Sequence, residues 1–195
     1  MRARLALLCL APFGLAATSF AGERECPQSA DFLQSGVVVT YADGTEVTYA
    51  PSGPQPGRVI EISRLRSPDE GFWHESWLGV YPLVDGFLKS EQPDRSYFST
   101  SIYPVPVEKL PIPKPGLSWA GQVNEVDSLG EDLGSIGLTV TFEGRRTFRI
   151  DDCAYDAFQI ETLYADAEGG FQATLDYLPE PVSYTHLTLP TTSRV

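Results

Sequence analysis

The sequence predicts an all-β protein: an antiparallel barrel, half-barrel or sandwich crossed by one Pro-rich segment. Three observations carry this expectation. Apolar and polar residues alternate along much of the chain, which is the period of a half-buried strand. Clusters of Gly, Pro, Asp and Ser recur between these runs at short spacing, as in meandering β domains. No segment holds a sustained apolar stripe at the 3.6-residue period, so little helix is expected.

The first 21 residues read as a secretory signal peptide. Arg2 and Arg4 make a basic start, Leu5 to Ala17 run apolar, and Ser19-Phe20-Ala21 is a small-x-small cleavage site. The apolar run is shorter than the ~20 residues a membrane span needs, and Pro12 and Gly14 interrupt it. A lipidated Cys9 is opposed by bulky Leu8 and by the short interval from Arg4. Cleavage after Ala21 places the remaining chain in the periplasm or outside the cell, with no integral membrane segment after processing.

Strands follow in order. Val37–Tyr41 and Thr45–Tyr49 flank Ala42-Asp43-Gly44, and Asp-Gly between β-formers is a hairpin signal. After the turn-rich stretch from Pro51 to Gly57 come Arg58–Leu65, Phe72–Tyr81 and Leu83–Leu88. Ile136, Leu138, Val140 and Phe142 alternate with polar residues, and Gly144 and Arg145 should turn the chain into Thr147–Asp151. A last hairpin pairs Ala154–Tyr164 with Phe171–Leu178 across Asp166 to Gly170. Phe158, Ile160 and Tyr164 share one face of the first arm, and Phe171, Ala173, Leu175 and Tyr177 one face of the second. Pro104, Pro106, Pro111, Pro113 and Pro115 favour extended backbone between two halves of the sheet. The same segment would also suit an aromatic groove on a partner.

Residues 22–181 amount to about 160 positions, enough for one β-rich domain with a real core. The chain has 14 basic and 26 acidic residues. Arg2, Arg4 and Arg194 lie in the signal and the tail, so the domain itself carries 11 against 26, or about −15. Such a surface repels phosphate backbones and anionic membranes, which argues against nucleic acid as a partner. It confers solubility, and it also suits a cation-binding or basic-partner role. With Cys9 removed, Cys26 and Cys153 remain as a pair in an oxidising compartment and are expected to form a disulfide.

Candidate sites are few. In Phe72-Trp73-His74-Glu75-Ser76-Trp77, strand alternation puts Trp73, Glu75 and Trp77 on one face and Phe72, His74 and Ser76 on the other. Trp73 and Trp77, with Trp119 further along, are the candidate ligand-binding residues: they could stack on a sugar or a cation, wall an apolar pocket, or close the core. His74 and Ser76 lack a third catalytic group, and Gly-x-Ser-x-Gly is absent, so no catalytic residue is assigned. Carboxylates gather at Glu125/Asp127, Glu131/Asp132 and Asp151/Asp152. They read as solvated turns, since their spacing matches no calcium loop. No zinc spacing, phosphate loop or nucleotide fingerprint occurs, so neither metal nor cofactor is expected.

The last fourteen residues, 182–195, contain no acid, and Val182 to Thr191 resembles one reading frame of a transposon-end adapter used in sequencing libraries. The expectation is a native domain that stops near Pro181 and a non-native tail; a genuine β-type tail is the alternative. Cys26-Pro27, the stretch Pro113-Lys114-Pro115-Gly116, Asp152-Cys153-Ala154-Tyr155 and Tyr177-Leu178-Pro179-Glu180 together resemble a group of uncharacterised secreted proteobacterial proteins. In that group the last motif runs on as Tyr-Leu-Pro-Glu-Leu-Gly, with further strands after it. The resemblance implies a disulfide-linked β domain and carries over no catalytic residue.

The functional expectation is an exported, non-enzymatic β domain that holds an apolar or aromatic-stacking ligand or docks an envelope partner. A glycan hydrolase using paired carboxylates is the second expectation, and a purely structural envelope protein the third.

Overall fold

A computed structural model describes residues 26, 29–41, 43–64, 71–89, 92–150, 152–167, 169–178 and 185–194, the last as backbone. Residues 1–21, where a signal peptide is expected, lie outside the described residues, as do 182–184 and 195. One antiparallel sheet in strict chain order accounts for most of the fold. Its strands are β1 (Val37–Thr40), β2 (Glu46–Pro51), β3 (Arg58–Arg64), β4 (Gly71–Trp77), β5 (Tyr81–Lys89) and β6 (Gln92–Ile102), then β7 (Ser118–Asp127), β8 (Asp132–Ile150), β9 (Cys153–Ala165) and β10 (Gly170–Leu178). These ten curve into a half-barrel, and β11 (Thr185–Arg194) adds along β10. Among the described residues no helix is long and apolar enough to cross a membrane.

Several boundaries differ from the sequence expectation for local reasons. Phe72–Tyr81 is not one strand. Leu78 and Gly79 take positive φ, 56° and 68°, and turn β4 into β5, with the Val80 N–H donating to the Trp77 carbonyl at 3.1 Å. Two successive residues at positive φ are the hairpin geometry that matches strand twist. Leu78 is an unusual occupant, and no Asn-Gly or Asp-Gly signal marks the turn. Gly144 and Arg145 do not end a strand either. β8 runs on through them with a register shift between Phe142 and Arg145. β6 and β7 carry too many polar residues to have stood out by alternation. A short helix also forms, α1 (Ser29–Ser35), too brief for a periodic signal. It ends at Gly36, whose φ of 75° suits glycine and whose N–H donates to the Phe32 carbonyl.

The sheet serves two cores. In the larger, Val123, Leu138, Val140 and Phe142 meet Phe158, Ile160, Leu175 and Tyr177. The expected alternation of the final hairpin is present: Phe171 faces Tyr164, Leu175 faces Ile160 and Tyr177 faces Phe158. In the smaller, Phe32 of α1 packs with Val47, Tyr49 and Val59 of β2 and β3 and with Tyr155, Ala157 and Leu178 of β9 and β10. The two ends of the meander therefore share one core with α1. β9 contributes to both cores by changing its buried side. Tyr155 and Ala157 face the smaller one, while Phe158 and Ile160, of opposite parity, face the larger. The register shift in β8 lies beside this change, and bulges add local twist. Cys26 and Cys153 are joined as expected, with Cα atoms 5.6 Å apart, and both pack against the smaller core.

The Pro-rich segment links the neighbouring strands β6 and β7 and folds over one end of the larger core. It is not extended throughout, since Val107–Lys109 form a 3₁₀ turn. Leu110 is buried, and the Tyr81 hydroxyl donates to the Pro111 carbonyl at 3.0 Å.

Within the larger core Thr162 is fully buried, and its hydroxyl has no hydrogen-bond partner among the described residues. An orphaned buried hydroxyl costs on the order of 1–3 kcal/mol. Thr162→Val keeps the shape and removes that cost, so it should raise the unfolding free energy by about 1 kcal/mol. Urea unfolding monitored by tryptophan fluorescence reads the change, and a fall in midpoint would contradict it.

A candidate ligand groove on the open side of the half-barrel

Two adjoining cavities open between β4, β5, β6, β7 and the β9–β10 hairpin. One, of about 370 Å³, is lined by Phe72, Trp73, Phe87 and Tyr97 with Asp85, Glu125 and Asp127. The other, of about 340 Å³, is lined by His74, Asp85, Glu125, Tyr164, Asp166 and Phe171. Asp85 and Glu125 belong to both, so they mark the seam of one groove.

Strand register explains which side chains arrive there. Phe72 lies opposite Phe87, and His74 opposite Asp85, on one face of the β4–β5 pair. Ser99 lies opposite both Asp85 and Asp127, and Ser101 opposite Glu125, which carries the same face across β6 to β7. The aromatic side chains at the mouth remain in water: Phe72, Phe87 and Tyr97 are 49 %, 62 % and 61 % exposed. A neutral aromatic cluster belongs to the larger core. Tyr81, Tyr103 and Trp119 pack edge-on or tilted, with ring centroids 5.6–6.3 Å apart. Burial pushes the Tyr81, Tyr103 and Tyr164 phenols well above their usual range, so this cluster stays uncharged.

The polar groups differ in how they are occupied. Asp127 Oδ1 accepts the backbone N–H groups of Leu129 and Glu131 at 2.8 Å and so holds its own turn together. Asp127 and Glu125 close β7 rather than sitting in a loop, and Asp132 opens β8. His74 Nδ1 lies 2.5 Å from Asp85 Oδ1. The Glu125 carboxylate makes no hydrogen bond or ion pair among the described residues. Burial raises its pKa, and the neighbouring Asp85 charge raises it further. No three His, Cys, Asp or Glu side chains among the described residues converge closely enough to hold a metal ion. No family model, curated protein or solved structure matches the chain.

The three candidate tryptophans do not converge. Trp73 reaches the larger cavity from the opposite face of the sheet, because its partner across β5 is Gly86. A Cβ on Gly86 would fall 2.6 Å from Trp73 Nε1, so only glycine admits this approach. Behind Trp73 the Arg95 guanidinium stacks 4.1 Å from the ring centroid and bonds Glu75 at 3.1 Å, with Arg58 on the second Glu75 oxygen. Trp77 and Trp119 pack against the larger core and line neither cavity. Asp85, Phe87 and Tyr97 carried no sequence signal. The alternation that put Phe72 and His74 on one face was the available clue, but the partner strand was not legible.

The His74–Asp85 pair makes a prediction about pH. Burial alone lowers the His74 pKa, but the Asp85 hydrogen bond and the charges of Asp85, Glu61 and Glu75 outweigh it, and the net shift is upward. A histidine with a raised folded pKa adds stability below its unfolded value of about 6.5 and loses it as pH rises through the folded value. The deficit of His74→Gln relative to the natural protein should therefore be larger at pH 5.5 than at pH 9, read as urea midpoints. A deficit that grows with pH would refute this assignment.

Proposed function

We propose that the protein is an exported, non-enzymatic β domain that binds an apolar or aromatic-stacking ligand in the groove of its half-barrel. The observation that carries the reading is the trio Phe72, Phe87 and Tyr97, left exposed beside a cavity. Grouped exposed aromatic surface marks binding sites far more often than isolated apolar residues do. Each cavity falls within the ~300–1,000 Å³ range of small-molecule sites. The Cys26–Cys153 disulfide supports an oxidising, extracytoplasmic setting.

The test is uptake of the neutral polarity-sensitive dye Nile red by the full chain. Saturable one-to-one uptake is expected, weakened about tenfold or more in Phe87→Ala/Tyr97→Ala, a loss of about 1.4 kcal/mol or more. Both positions are exposed, so the fold should persist. Absence of saturable uptake would leave the structural-protein reading in its place.

A second reading, glycan hydrolysis by paired carboxylates, rests on one observation. Glu125 is shifted toward its protonated form beside Asp85, which is the division of labour that glycosidases use. Release of reducing ends from peptidoglycan or chitooligosaccharide, lost in Glu125→Gln, would put the enzyme first.

A further inference from the structure

We infer that the groove selects organic cations, so that its occupant is a small amphiphile with an ammonium head and an apolar body. This rests on the groove reading above and narrows it by charge.

The charged residues lining the two cavities are Asp85, Glu125, Asp127 and Asp166, all acidic, with His74 beside them. No Lys or Arg lines either cavity among the described residues. The nearby cations are committed elsewhere: Arg58 and Arg95 bind Glu75, and Arg146 binds Asp176. A carboxylate or phosphate head entering here would face four acidic side chains, with the lining His74 already paired to Asp85, whereas an ammonium would meet complementary charge.

Glu125 supplies the specific contact. It borders both cavities and is partly buried, and its carboxylate has neither hydrogen-bond nor ion-pair partner among the described residues. Asp85 already holds His74, and Asp127 and Asp166 each hold a turn backbone, so Glu125 is the carboxylate left to a ligand. A partly desolvated carboxylate without a partner is costly, and an incoming cation relieves that cost. The faces of Phe72, Phe87 and Tyr97 at the same mouth attract an ammonium by their ring quadrupoles and accept its alkyl body.

Isothermal titration of the full chain with octyltrimethylammonium, 1-octanol and octanoate, all below micelle formation and at 150 mM salt, tests the inference. The cation should bind at least tenfold more tightly than either of the others. Glu125→Gln should shrink that preference to threefold or less, and Glu125→Lys should reverse it toward octanoate. Glu143→Gln/Asp156→Asn, which removes two exposed charges outside the groove, should change the cation affinity less than twofold. Equal affinity for the three probes would overturn the cation inference and leave the apolar groove standing. A preference that survives Glu125→Gln would overturn it too, by assigning the effect to bulk charge. Failure of all three probes to bind saturably would remove the groove reading along with it.

Discussion

Replacing Cys26 and Cys153 by serine should lower the unfolding free energy by about 5 kcal/mol, the chain-entropy value for a loop of this length. The bond spans 127 residues. Its release also frees an element that cannot hold itself. α1 has only seven residues, well short of the ~12–15 an isolated helix needs. Phe32 is its anchor in the smaller core, where Val47, Tyr49 and Val59 depend on it for cover. Urea unfolding of the double-serine variant, and of the natural protein with and without reductant, measures the loss. Hydrogen exchange should report it first in β1 and β2 and last in β8 and the second half of β9. An unchanged midpoint, or uniform loss of protection across the sheet, would contradict the proposed role of α1 as the tie between the ends of the meander.

The second large effect is expected at Phe158. Its ring lies 4.9 Å from Tyr177 and 6.4 Å from Phe142, and the residue is buried at the point where β9 changes its inward side. Phe158→Ala should cost about 3–5 kcal/mol, because the curved sheet around it cannot collapse into the space left behind. Phe87→Ala, the same substitution at an exposed position, should cost within about 0.5 kcal/mol. Thermal and urea unfolding of the pair make the comparison. A loss below 1 kcal/mol at Phe158 would mean that the larger core is not the main support of the half-barrel.

How much of this was legible in the chain depended on whether a signal was local. Asp43-Gly44 marked the first hairpin, and there the Asp43 carboxylate accepts the Thr45 N–H. The residues that share a face in the last hairpin were legible from alternation alone, since side chains two apart on a strand point the same way. Leu78-Gly79 was missed because tertiary packing holds Leu78 at positive φ, with its N–H on the Gly57 carbonyl at 2.6 Å. β6 was missed because Tyr97, Phe98, Ile102 and their polar neighbours follow no steady period across its register shift. Trp73, Trp77 and Trp119 drew attention for their chemistry, yet Trp73 alone borders the groove. Asp85 had no signal at all until β5 was set beside His74.

By itself the sequence determined an all-β chain, the pairing of Cys26 with Cys153, an acidic net charge and the shared faces of the last hairpin. These follow from composition and from alternation over neighbouring residues, quantities that any short window contains. Only the tertiary structure decided that the meander curves into a half-barrel, that its two ends share a core with α1, and that β9 serves two cores. It alone brought Phe72, Asp85, Tyr97 and Glu125 to one groove, from four strands spread over more than fifty residues. Side chains on different strands become neighbours through register and sheet curvature, and neither is written in the local period of any one strand.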